Sequence, residues 1–174
     1  MFSAIDRLRR LRVADVMAKD VVVVSVNETM ANAAQRFESN EISSAPVVNE
    51  HGHCVGMLSA ADFLRRDGPV CDEGKIPAGP VEHSVAPGEA GRPLSIIADC
   101  DTVDSYMAHA VQSVAGETSL LDAARIMGES HIHRLPVLDG DCVVGVISTM
   151  DVVAAILNAF DEMDASRDRQ REES

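Results

Sequence analysis

Apolar and polar positions run through the same order twice. A β-branched run, Val21–Val26, is followed by Met30, Ala33, Ala34 and Phe37 at i, i+3, i+4 and i+7, the stripe of a one-sided amphipathic helix. Val111–Val114 and then Leu120, Ala123, Ala124 and Met127 repeat that arrangement 90 residues later. Thr29 and Ser119 occupy equivalent N-cap positions, and Ser119-Leu-Leu-Asp122 has the form of a capping box. Each stripe leads into two short apolar runs joined by a turn. In the second copy Pro136–Leu138 and Cys142–Ile147 flank Asp139-Gly140, a strong hairpin signal; in the first the turn lies around Asn49–Gly52 and is one residue longer. A helix closes each copy, Ala60 to about Arg66 and Thr149 to about Phe160, the second with Val152, Val153, Ile156, Leu157 and Phe160 as its apolar face. The pattern predicts an α/β (α+β) fold of two β-α-β-β-α units.

Residue identities support the duplication. Val13-Ala-Asp-Val-Met17 matches Val103-Asp-Ser-Tyr-Met107, Ile42–Val47 matches Ile132–Val137, and Gly56–Asp62 matches Gly145–Asp151. The offset is 90 through Pro46 and 89 from Gly56 onward, so one residue is lost in the hairpin turn. The copies are expected over 11–66 and 101–160. Between them, 67–100 holds five of the seven prolines and reads as a linker, with Leu94–Ala98 as an apolar stretch expected to dock on a repeat. Beyond the second copy, 161–174 is almost wholly polar and reads as a fraying helix end or a disordered tail. Phe2, Ile5, Leu8 and Leu11 share one helical face, which favours an amphipathic packing helix over a secretory signal.

Composition narrows the classes of function. Apolar residues make up 46% of 174, enough for a core, but aromatics are 3% with no Trp, so that core is aliphatic. A net charge of −13 argues against nucleic acid or an anionic membrane as partner. No apolar run reaches the ~18 residues of a membrane span. Cys54, Cys71, Cys100 and Cys142 show no C-x-x-C pair and no disulfide framework, so reduced thiols in a cytoplasm are expected. Cys71, His83 and Cys100 are too scattered for a typical zinc site, and His51-Gly-His53 and His131-Ile-His133 each lack a third ligand. No metal is expected. No P-loop, nucleophile elbow or nucleophile–base spacing points to an enzyme.

The three blocks, in this order and twice over, resemble the cystathionine-β-synthase (CBS) domain, and the tandem resembles a CBS pair. The resemblance implies two repeats packed with pseudo-twofold symmetry, homodimerisation, and a regulatory role in which a partner protein reads the bound state. It also implies an adenosyl ligand between the repeats, among AMP, ADP, ATP, S-adenosylmethionine and NAD, with no obligatory cofactor.

Ser59-Ala-Ala-Asp62 and Ser148-Thr-Met-Asp151 each stand where a strand gives way to a helix, and as such are caps. The resemblance adds a ribose role for Asp62 and Asp151, with Ser59 and Ser148 near the ribose or phosphate. Arg134, whose counterpart is Ser44, suits phosphate, and the pocket that holds it is expected to prefer the more phosphorylated ligand. Ala45 and Leu135, beside the motif prolines Pro46 and Pro136, could form an adenine slot with Val21, Val22 and Val111; core packing is the alternative for the valines. Lys19 and His109, at equivalent positions, could approach a phosphate or remain solvated. The rival reading is a ligand-free interaction module in which the Ser–Asp pairs are helix caps only.

Overall fold

The computed structural model describes residues 4–67 and 101–172. Phe2, the linker from Gly68 with its Leu94–Ala98 stretch, Cys71, His83 and Cys100 lie outside the described residues. After helices α1 (Ala4–Arg10) and α2 (Val13–Val16), the first copy runs β1 (Val24–Ser25), α3 (Met30–Ser39), β2 (Ser44–Val48), β3 (Cys54–Ser59) and α4 (Ala60–Asp67). A 3-10 turn, Val103–Ser105, opens the second copy, followed by β4 (Val114–Ala115), α5 (Leu120–Ser130), β5 (Arg134–Asp139), β6 (Cys142–Ser148) and α6 (Thr149–Glu172). Each copy folds a three-stranded sheet, β1-β2-β3 or β4-β5-β6, with the first pair parallel and the second antiparallel. Among the described residues no helix is long and apolar enough to cross a membrane.

The caps form as the spacing predicts. Thr29 accepts from the Asn32 N–H at 3.3 Å, and Ser119 from the Asp122 N–H at 3.1 Å. The strands opening each copy are shorter than the valine runs suggest, because the motif proline stops the ladder. Val48 faces β1, its carbonyl accepting from Val26 N–H at 2.9 Å. Pro46, two residues earlier, faces the same edge and has no N–H to offer. Pro136 stands at the equivalent place in β5, so Val21–Val23 and Val111 are left as non-strand segments. In the second hairpin the two-residue turn is Gly140-Asp141, one position later than Asp139-Gly140, with Gly140 at φ +60°.

The lead-in segments are exchanged. Val13 is buried among Leu120, Leu135 and Ile147 of the second copy, while Val103 and Met107 are buried among Met30, Ala45 and Leu58 of the first. Ala18 exchanges two backbone hydrogen bonds with Val146, and Ala108 exchanges two with Met57, so each lead-in segment pairs with the third strand of the other copy's sheet. This exchange explains two glycines. A Cβ on Gly56 would lie 2.5 Å from Met107 Sδ and 2.9 Å from the Ala108 carbonyl; one on Gly145 would strike Met17 Sδ and lie 3.1 Å from the Ala18 carbonyl. The methionine of each first motif therefore seats on the glycine of the other copy's last motif.

Three helical faces differ from expectation. Met30, Ala33 and Phe37 are buried in α3, but Ala34 is exposed; in α5, Ala124 is only partly buried. In α6 the buried residues are Ala155 and Ala159, with Val152 packed at the margin. Val153, Ile156, Leu157 and Phe160 face outward, with Leu157 58% and Phe160 52% exposed. Small side chains let this helix approach α1 and α5 closely, which turns its bulkier face away from the core. The helix also continues through the polar stretch to Glu172.

Candidate functional site

The variable positions of the Ile-x-x-h-Pro-Val motif meet where the copies join. In each copy a residue in the left-handed region, Glu41 at φ 52° or His131 at φ 54°, turns the chain from helix toward strand. Ser43-Ser44 and His133-Arg134 then lead into β2 and β5. Arg134 Nη1 donates to Ser43 Oγ at 2.6 Å and to Ser44 Oγ at 2.9 Å, so the guanidinium is held by its own counterpart in the other copy. Two of its five N–H donors suffice for these bonds, which leaves the rest for an anion.

Beside this junction lies a cleft of about 340 Å³, at the lower end of the ~300–1,000 Å³ typical of small-molecule sites. Met57, Ala108, Ala110, Val111 and Ile132 supply its apolar wall. Ser43, Ser44, Ser59, Gln112, His133 and Arg134 supply the polar groups. The wall exists because the second copy's lead-in segment crosses β3 at Ala108–Met57 and then runs free through Val111 before β4 begins.

Both helix starts carry the Asp that reaches back to the Ser, and the second also has the Ser hydroxyl accepting from the helix. Asp62 Oδ2 accepts from Ser59 N–H at 2.6 Å and from Ser59 Oγ at 2.8 Å. Asp151 Oδ2 accepts from the same two groups of Ser148, each at 2.7 Å, and Ser148 Oγ also accepts from Asp151 N–H at 3.3 Å. The carboxylates otherwise differ. Asp62 is 2% exposed, and its second oxygen is paired with Arg65. Asp151 is half-buried, and among the described residues no donor reaches its Oδ1.

Of the residues singled out in the sequence, Ser59, Val111 and Arg134 share the cleft wall. Asp62 sits one helical turn behind Ser59 and outside that wall, and Ser148, Asp151, Val21 and Val22 stand apart from it. Ala45, Pro46, Leu135 and Pro136 are buried in the cores and are not among the residues that line the cleft. Lys19 and His109 are exposed, the His109 ring lying 3.1 Å from the Asp104 carbonyl. Asp15 caps α2 by accepting from Arg12 N–H at 2.8 Å, whereas Ser105 in the second copy ends a 3-10 turn. Ser43, Gln112 and His133 also line the cleft; no motif points to Ser43 or Gln112, whereas the place of His133 beside Arg134 in the repeated motif is a legible signal. Among the described residues no three His, Cys, Asp or Glu side chains converge on a metal position.

Two α+β units related by a pseudo-twofold axis, with a cleft at their junction, define a tandem-repeat α+β architecture. The CBS domain family model matches residues 13–68 and 103–158, more than half of the chain, and the chain belongs to that family. It is 31% identical over 148 residues to the chloroplastic CBS domain-containing protein CBSX1 of Arabidopsis thaliana, covering 80% of this chain and 60% of that one. Across the first curated relatives it matches, the chain spans from 32% to 90% of their length. Among solved structures, CBSX2 in complex with AMP superposes with a TM-score of 0.64 at 23% identity, covering 84% of this chain and 96% of that one. The CBS domain pair of protein MJ0100, in complex with 5′-methylthioadenosine and S-adenosyl-L-methionine, gives 0.60 at 19% identity, covering 83% and 94%. These two likenesses define the fold.

Proposed function

We propose that this chain is a cytoplasmic, non-enzymatic sensor of an adenosyl ligand, which binds at the junction of the two CBS repeats and alters a contact read by a partner protein. The observation that carries this reading is the cleft itself: apolar side chains for a base, and a guanidinium held among hydroxyls for a phosphate or sugar. Solved CBS pairs holding AMP, 5′-methylthioadenosine and S-adenosylmethionine support the ligand class. The outward apolar face of α6, with Leu157 and Phe160, suits a second copy of the chain and so a homodimer. The ligand acts by binding one arrangement of the repeats better than another, since no other route shifts the equilibrium.

Thermal denaturation with AMP, ADP, ATP, NAD and S-adenosylmethionine tests the reading. A true ligand at a hundredfold over its Kd adds about 2.7 kcal/mol of stability. Arg134→Ala removes the preference for a phosphorylated ligand. Unchanged stability with all five compounds overturns the proposal in favour of a ligand-free interaction module.

A further inference from the structure

We propose that Arg65 closes Asp62 to ligands, so that the cleft beside Ser59 reads an adenosyl ligand without its ribose diol, and diol recognition is left to Asp151. The inference rests on the sensor reading above and goes beyond it by assigning different chemistry to the two copies. Three observations carry it. Both oxygens of Asp62 are engaged by the chain itself, Oδ2 by Ser59 and Oδ1 by Arg65. Asp62 is 2% exposed and absent from the cleft wall, although Ser59 is part of that wall. The second copy lacks the closing group, because the counterpart of Arg65 is Ala154, and Asp151 keeps an oxygen free of donors among the described residues.

The chemistry follows from counting acceptors. A carboxylate holds a cis-diol by accepting a hydrogen bond from each hydroxyl, which requires open lone pairs and a path for the sugar. With three donors already on its roughly four lone-pair sites, Asp62 has too few left for two hydroxyls, and at 2% exposure it gives the sugar no path while Arg65 stays in place. Arg65 is itself 60% exposed, so its removal opens the carboxylate without disturbing the core.

Calorimetric titration with AMP and with 2′,3′-dideoxy-AMP tests the assignment. With Asp151→Asn, which leaves only the Asp62 side to read a diol, the two nucleotides bind within about twofold of each other. Adding Arg65→Ala tightens AMP by about tenfold or more, the size expected of hydrogen bonds to a charged acceptor, and leaves the dideoxy compound unchanged. Arg65→Lys, which keeps a cation beside the carboxylate, behaves as Arg65 does. In the chain with Asp151 intact, Arg65→Ala raises the number of diol-discriminating sites from one to two, a readout that does not depend on the Asp151→Asn variant folding. A tenfold preference for AMP in Asp151→Asn with Arg65 present overturns the inference alone, as does an Arg65→Ala variant that changes neither nucleotide. Failure of the unsubstituted chain to bind either nucleotide overturns the sensor reading together with it.

Discussion

The two copies agree where the backbone needs them to and diverge where side chains meet the cleft. Gly56 and Gly145, Pro46 and Pro136, and Ser59 and Ser148 hold equivalent places with equivalent neighbours. Ser43-Ser44 at the junction corresponds in the other copy to His133-Arg134, and Arg65, beside the first cap, corresponds to Ala154. The repeated residues thus report steric and hydrogen-bonding demands of the fold. The unmatched ones report what each side of the junction can hold, and among the described residues they put the guanidinium of Arg134 in the cleft wall.

The comparison can be broken most severely by separating the copies. Residues 1–67 alone lack Val103 and Met107, which complete the first core. That fragment is expected to show no cooperative thermal transition by circular dichroism; a sharp transition would mean the exchange is dispensable. A smaller effect separates steric equivalence from mere likeness. Gly56→Ala and Gly145→Ala should each cost about 1–3 kcal/mol in urea denaturation, through contact with the opposing methionine and carbonyl. In double-mutant cycles Gly56→Ala should couple to Met107→Ala and not to Met17→Ala, with the reverse for Gly145→Ala.

The smallest effect concerns two thiols at matching hairpins. Burial pushes the Cys54 thiol above its ordinary value, a hydrogen bond with the Gly56 backbone pulling the other way, whereas Cys142 is exposed. Iodoacetamide at mildly alkaline pH should therefore label Cys142 before Cys54, as read by peptide mapping. The sign for stability follows: the unfolded Cys54 thiol loses its proton first. Its contribution is complete below the ordinary thiol range and is lost as pH rises through that range toward the raised folded value.

The duplication, the helix caps and the hairpins were legible because each depends on residues close in sequence. The shortness of β1 was latent in Pro46, but only strand order shows which edge the missing N–H would have served. The apolar stripe of α6 misled because two faces of that helix are apolar, and close packing favours the one built on Ala155 and Ala159. Asp62 and Asp151 look alike in sequence; the difference lies in Arg65, one helical turn away, and in a burial that the motif does not encode. Nothing in either Val-to-Met block reveals which copy it will join.

That exchange sets an order of events on the ribosome. Domains usually fold as their chain emerges, N-terminal part first. Here the core around Leu58 and Met30 stays incomplete until Val103 and Met107 have been translated, and Val13, among the earliest residues made, packs in a core that is completed only when Ile147 exists. Neither core is therefore complete until most of the chain has been made, and the last pieces of each are supplied by the other half.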